Sequence, residues 1–106
     1  MPNAQLRLQD LPAPDADWHE HAAFAHSFFA YEHWGSFGAA AVLANRAAKR
    51  FREEGVLPST LSELRTCLFF EHRRAVHQGG PSEEARVYAR ALLEAIHSRV
   101  RTGQLD

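Results

Sequence analysis

The sequence predicts an all-α fold: an up-down bundle of about four helices preceded by an extended amino-terminal arm. Four stretches carry apolar residues at helical spacing, and each of them lies between a capping residue and a glycine. No stretch alternates apolar and polar residues beside a β-turn signal. The connections are short, which favours antiparallel neighbours. At 106 residues, the chain has the length of one domain.

Residues 1–14 are predicted to form the arm, and residues 15–106 the single helical domain. Pro2, Pro12 and Pro14 keep much of the arm out of helical conformation. Three leucines are placed to anchor it to the surface of the domain: Leu6, Leu8 and Leu11.

Capping residues and glycines place the helix boundaries. The predicted helices cover residues 18–34, 37–54, 61–77 and 83–101. Their N-caps are Asp17, Ser36, Thr60 and Ser82, whose side chains can accept hydrogen bonds from the first turn. The stretches end before Gly35, Gly55, Gly79 and Gly103, and glycine adopts the left-handed conformation that terminates helices.

Composition excludes several classes of protein. Twelve Lys and Arg against thirteen Asp and Glu give a net charge of −1, so no overall basic field attracts nucleic acid or an anionic membrane. No uncharged stretch is long enough to span a bilayer, and Met1 is not followed by a basic and then an apolar region. The single cysteine, Cys67, cannot form an intrachain disulfide. We therefore expect a soluble, cytoplasmic protein without a cofactor or a membrane partner.

Aromatic residues are concentrated on the first predicted helix. Seven of the eleven lie between Trp18 and Phe37, more than one helix of a small bundle needs to bury. Aromatic anchors are enriched in protein interfaces. This surplus predicts a homodimer, with four candidate interface residues: Phe24, Phe28, Tyr31 and Trp34.

Polar residues interrupt the apolar arcs of the first and third predicted helices. They form a candidate cluster of Glu32, Arg65, Glu71 and His72. A carboxylate on an apolar arc needs a partner, because burying it alone costs several kcal/mol. One interpretation is an ion pair of Glu32 with Arg65, His72 or Arg74 that fixes the register of two helices. The alternative is a metal-binding or acid–base site at Glu32, Glu71 and His72.

The other histidines fit a metal site less well. His19, His26 and His33 repeat every seven residues, which separates successive rings by about 10 Å along a helix. Glu94 and His97 have the Glu-x-x-His spacing of di-metal bundles, but they share a stripe with arginines opposite the apolar face. We expect both sets to be solvated.

A nucleic-acid function is the third hypothesis. Arg65 and His72 have an Arg-x6-His spacing that resembles the loose signature of HEPN-type helical ribonucleases, and Thr66 follows the arginine. The resemblance covers these residues only, and it implies that the arginine and histidine assist RNA cleavage. Residues 37–77 also have the outline of a helix-turn-helix, but Arg50 and Glu54 occupy positions that such a motif buries.

The leading functional hypothesis is a protein-interaction module that binds itself or a protein partner. The metal or acid–base site and the nucleic-acid function are its two alternatives, and whether the protein is an enzyme stays open.

Overall fold

The computed structural model describes residues 7–27 and 35–103. Within them the chain forms a 3-10 turn at Leu8–Asp10 and four α-helices, and it forms no strand. The helices are α1 (Trp18–Ser27), α2 (Phe37–Glu54), α3 (Leu61–His77) and α4 (Glu83–Arg101). The predicted all-α bundle is confirmed. The predicted part of the first helix from Phe28 to Trp34 lies outside the described residues.

The capping residues act as predicted. Thr60 and Glu63 form a reciprocal capping box at the start of α3, in which the Glu63 amide donates to Thr60 Oγ1 at 3.1 Å. Ser36 Oγ accepts from the Ala39 amide at the start of α2. At the other end of α2, Gly55 has φ +70°, a left-handed conformation that glycine adopts without strain.

Helix α3 is the centre of the domain. It contacts α1, α2 and α4, and every residue from Thr66 to His72 is buried. The buried residues of α2 are all small, Ala40, Ala44 and Ala48, which lets its backbone approach the rest of the core closely. The polar residues within this buried stretch, Thr66, Glu71 and His72, are therefore enclosed by neighbouring helices.

The arm lies against α4 and differs in part from the extended segment that the sequence predicts. It contains the 3-10 turn, and only Leu11 of its described leucines packs against the core, while Leu8 is 43% exposed. Leu6 lies outside the described residues. In the part of the chain that is described, no helix combines the length and apolar character needed to cross a membrane.

Candidate functional site

Glu71 and His72 are both buried on α3 but face different neighbours. Consecutive residues of an α-helix point about 100° apart. The Glu71 carboxylate accepts from Arg74, whereas the His72 ring packs against residues of α1. The structure therefore does not bring these two predicted site residues together into one set of ligands.

The His72 side chain is completely enclosed, with an exposed fraction of 0%. Its ring packs against Trp18 in a tilted arrangement at a centroid separation of 4.0 Å, and the His21 ring lies 5.8 Å away. Neither ring nitrogen of His72 has a hydrogen-bond partner among the described residues. Burial, with a smaller contribution from His21, lowers the pKa of His72 to about 3, so the ring is neutral at pH 7.

His21 connects this cluster to the arm. Its Nε2 lies 3.1 Å from the carbonyl oxygen of Pro14, and because a carbonyl only accepts, Nε2 carries the proton. Burial lowers the pKa of His21, while the bond to Pro14 opposes that shift. On the outer side, the guanidinium of Arg86 lies over the Trp18 ring at 5.8 Å. Trp18, His21 and His72 thus form an aromatic cluster between α1 and α3, in which both histidines are buried and Trp18 is half-buried.

The enclosure of His72 limits what it can do chemically. A general acid or base must come within hydrogen-bond reach of its substrate, and no surface of His72 is accessible. Arg65, its predicted partner in the HEPN-like spacing, is half-buried on the same helix. An RNA phosphate reaches His72 only if α1 moves away from α3.

Glu71 lies on the other side of α3, in a polar group that joins α3 to α2. Arg74 donates to Glu71 through Nη1, and its Nη2 donates to Asn45 Oδ1 at 2.9 Å. Burial raises the pKa of Glu71, and the charges of Arg74 and Arg52 partly offset that rise. This ion pair lies within one helix; the pair predicted for Glu32 falls outside the described residues.

The Tyr88 hydroxyl and the Cys67 thiol lie beside each other, deeper between α3 and α4. Burial raises the pKa of Cys67 to about 12 and raises that of Tyr88 further above its ordinary value. The thiol is therefore protonated at neutral pH and is a poor nucleophile. The ring of Tyr88 also packs, tilted, against Phe51 of α2 at a centroid separation of 4.8 Å.

A cavity of about 400 Å³ opens next to this polar group, where α2, the end of α3 and the start of α4 meet. Its lining includes Phe51, Arg52, Glu71, Arg74, Val87 and Tyr88. The two aromatic rings give it an apolar wall, and Glu71 between two arginines gives it a polar side. Apolar walls with a few converging polar groups are the usual composition of a binding site.

The metal hypothesis gains no support from the described residues. Across residues 7–27 and 35–103, no three His, Cys, Asp or Glu side chains are grouped so as to hold a metal ion. Glu32, the third residue of the predicted set, lies outside those ranges. His19 and His26 are exposed, as expected of a solvated edge, and His33 is outside the described residues.

Of the predicted interface residues, only Phe24 is described. It is 6% exposed and belongs to the core of a single chain, so it offers almost no area to a second copy. Phe28, Tyr31 and Trp34 lie outside the described residues. The homodimer prediction rests on those three residues.

The prediction that His97 is solvated is wrong. Its ring is half-buried, and Nε2 lies 2.8 Å from the carbonyl oxygen of Pro12. The arm covers this part of α4, and the helical pattern alone does not show where an arm lies.

The sequence did not predict four of the residues that line the cavity between α2, α3 and α4: Phe51, Arg52, Val87 and Tyr88. Each has an ordinary place on its own helix, and only the packing of the helices brings them together.

Comparisons with protein-family models, with curated proteins and with solved structures find no match to this chain.

Proposed function

We propose that this domain is a protein-interaction module that holds an apolar or aromatic side chain of a partner protein in the cavity between α2, α3 and α4. One observation carries the proposal: a cavity of about 400 Å³ is lined both by the packed rings of Phe51 and Tyr88 and by the Glu71–Arg74 pair. Binding energy in protein interfaces is concentrated where a large side chain enters such a pocket.

The mouth of the cavity supports a protein partner over a nucleic acid. Glu83 and Glu84 line it beside Arg52, so carboxylates repel a phosphate backbone where a nucleic-acid binder presents cations. Val87, also at the mouth, is 51% exposed and offers apolar contact area outside the cavity. Apolar contact with charges of both signs around it is typical of the rim of a protein interface.

A pair of valines provides the test. Val87 lies at the cavity, whereas Val42 on α2 is 50% exposed and does not line it. Peptides selected from a random displayed library against the full chain are expected to share one apolar or aromatic position. Val87→Asp should weaken their binding by about tenfold or more, because it places a charge beside the bound apolar side chain, and Val42→Asp should leave it unchanged.

Two results would contradict the proposal. Selected peptides that bind Val87→Asp as tightly as the wild type do not use the cavity. A doubling of the mass of the wild type at high concentration, reversed by Val87→Asp, would make the occupant a second copy of this chain. Light scattering on both valine variants separates that outcome from binding of a different protein.

A further inference from the structure

The two buried histidines at the boundary between α1 and α3 have three ring nitrogens without a hydrogen-bond partner among the described residues. These atoms are Nδ1 of His21 and both nitrogens of His72, and the two residues are 4% and 0% exposed. Buried polar atoms in native proteins nearly always have a partner, and each exception needs an explanation such as a bound ion or water molecule. Here three exceptions lie on two neighbouring rings.

The hydrogen bond from His21 to the arm leaves its other nitrogen available to a metal. Nε2 donates to the Pro14 carbonyl at 3.1 Å, so Nδ1 carries a lone pair in the neutral ring. A histidine that binds a metal usually donates its second ring nitrogen to a backbone carbonyl or a carboxylate in the same way, which fixes the tautomer and the orientation of the ring. Burial lowers the pKa of both His21 and His72, so protons compete little for their lone pairs at pH 7.

The separation of the two rings fits one shared metal ion. An imidazole nitrogen lies about 1 Å from the centre of its ring and about 2 Å from a metal that it binds, so two rings that share one ion have centres about 5–6.5 Å apart. The centres of the His21 and His72 rings are 5.8 Å apart. One ion between them requires only small adjustments of the two side chains.

The number of ligands excludes the commonest histidine-bound metal. Across residues 7–27 and 35–103, no three His, Cys, Asp or Glu side chains are grouped so as to hold a metal ion, whereas a structural zinc site has four ligands. Copper also binds imidazole, and in its Cu(I) state it accepts two nitrogens in a near-linear arrangement. Two histidines are then a complete set of ligands.

The charges that face the cluster also favour a monovalent ion. Arg86 lies over the Trp18 ring on the outer side. The charge of Arg90 lowers the pKa of His21, and that of Asp17 opposes this effect. Two arginines against one aspartate disfavour additional positive charge, and the cost of burying an ion rises with its charge. An ion with a single charge is therefore the easiest to hold.

We propose that His21 and His72 bind one Cu(I) ion between α1 and α3, with Nδ1 of His21 and one nitrogen of His72 as its two ligands. The described part of α1 packs mainly on α3, so the ion enters when α1 separates from α3 and then links the two helices. The site is separate from the cavity of the proposed function, and neither depends on the other.

The test starts from Cys67→Ala, because this variant lacks the one thiol of the chain that would compete for Cu(I). Titration with Cu(I), kept reduced by ascorbate and buffered by a colorimetric chelator, should give one ion per chain. Adding His21→Leu or His72→Leu should weaken binding by about a hundredfold or more, since even loss of a group that orients a ligand costs up to about a hundredfold. Adding His77→Ala instead, which removes an exposed histidine of α3, is the matched control and should leave binding unchanged.

A second measurement keeps every histidine in place, so it does not depend on the folding of the leucine variants. Ag(I), an air-stable substitute for Cu(I), should shift the ring-nitrogen resonances of His21 and His72 in Cys67→Ala and raise its melting temperature. Shifts confined to other histidines, such as the exposed His19 and His26, would overturn the proposal. Absence of binding, or binding that both leucine variants retain, would overturn it too, and Zn(II) bound as tightly as Cu(I) would contradict a two-ligand site for a monovalent ion.

Discussion

At the scale of single residues, the His72 ring has two polar nitrogens in a site that offers them no hydrogen-bond partner among the described residues. A buried polar group without a partner lowers stability by about 1–3 kcal/mol relative to a satisfied one. Contact with the Trp18 ring, at a centroid separation of 4.0 Å, recovers part of that free energy through dispersion. An apolar side chain of similar size would keep the packing and remove the desolvated nitrogens.

We therefore expect His72→Leu to change the free energy of unfolding at pH 7 by no more than about 1 kcal/mol in either direction. Leu68→Ala, at an equally enclosed position of the same helix, should lower it by about 2–5 kcal/mol. Urea denaturation measures both. A loss in His72→Leu as large as in Leu68→Ala would show that the histidine nitrogens make stabilising interactions.

The same substitution should change the pH dependence of stability. The pKa of His72 is about 3 in the folded chain, against an ordinary value of 6.5. Between these values the unfolded chain binds a proton that the folded chain does not, so the free energy of unfolding falls as the pH falls, by at most about 1.4 kcal/mol per pH unit. Glu71 changes the stability in the opposite direction. Its pKa is raised in the folded chain, so its contribution to the free energy of unfolding increases as the pH falls.

The comparison between wild type and His72→Leu isolates His72, since Glu71 and His21 are present in both. We expect the wild type to lose more stability than His72→Leu when the pH falls from 7 to 5. Equal losses in the two proteins would place the pKa of His72 near its ordinary value and contradict its enclosure.

The two ion pairs on α2 and α3 differ in burial and therefore in expected contribution. Arg74→Met removes the partner of a Glu71 carboxylate that is 11% exposed, and should lower the free energy of unfolding by about 1–3 kcal/mol. Arg50→Met breaks an exposed pair with Glu54, whose side chains are 62% and 58% exposed, and should change it by less than about 1 kcal/mol. Thermal or urea unfolding of the two variants tests this; equal effects would mean that Glu71 is solvated.

At the scale of elements, two glycines of α2 should respond oppositely to alanine. Gly38 lies in the first turns of the helix, and an added Cβ meets only Ser36 Oγ at 3.9 Å, so Gly38→Ala should raise the free energy of unfolding by about 0.5–1 kcal/mol. Gly55 has space around it but φ +70°, so Gly55→Ala should lower it by about 1 kcal/mol. Melting temperatures that shift in the same direction would contradict the αL end of α2.

The elements show which features a sequence can predict. Ser36, Thr60 and Gly55 set helix ends through contacts with residues three or four positions away, and such contacts are visible in the sequence. The orientation of Glu71 away from His72 also follows from helical geometry, since neighbours lie about 100° apart. The identity of their packing partners does not follow from helical geometry, because Trp18 reaches His72 only through the packing of α1 on α3.

At the scale of the whole molecule, stability is distributed unevenly around α3. This helix contacts the other three, whereas the described part of α1 packs mainly on α3. The boundary between α1 and α3 holds the two buried histidines, His21 and His72. The boundary between α3 and α4 holds Cys67 and Tyr88 but is mostly apolar, with residues such as Leu68, Leu92 and Ala89. Loss of α1 leaves the α2–α3–α4 packing in place.

We therefore expect α1 to open before the rest of the domain unfolds. Amides of Trp18–Ser27 should exchange with solvent at least about tenfold faster than those at the centre of α3, after correction for intrinsic rates, in native-state hydrogen exchange. Opening exposes His72, whose protonation at lower pH then favours the open state. Protection of α1 should consequently fall more than that of α3 between pH 7 and pH 5, and His72→Leu should reduce this difference. Uniform protection of α1 and α3 at both pH values would instead mean that the four helices unfold as one unit.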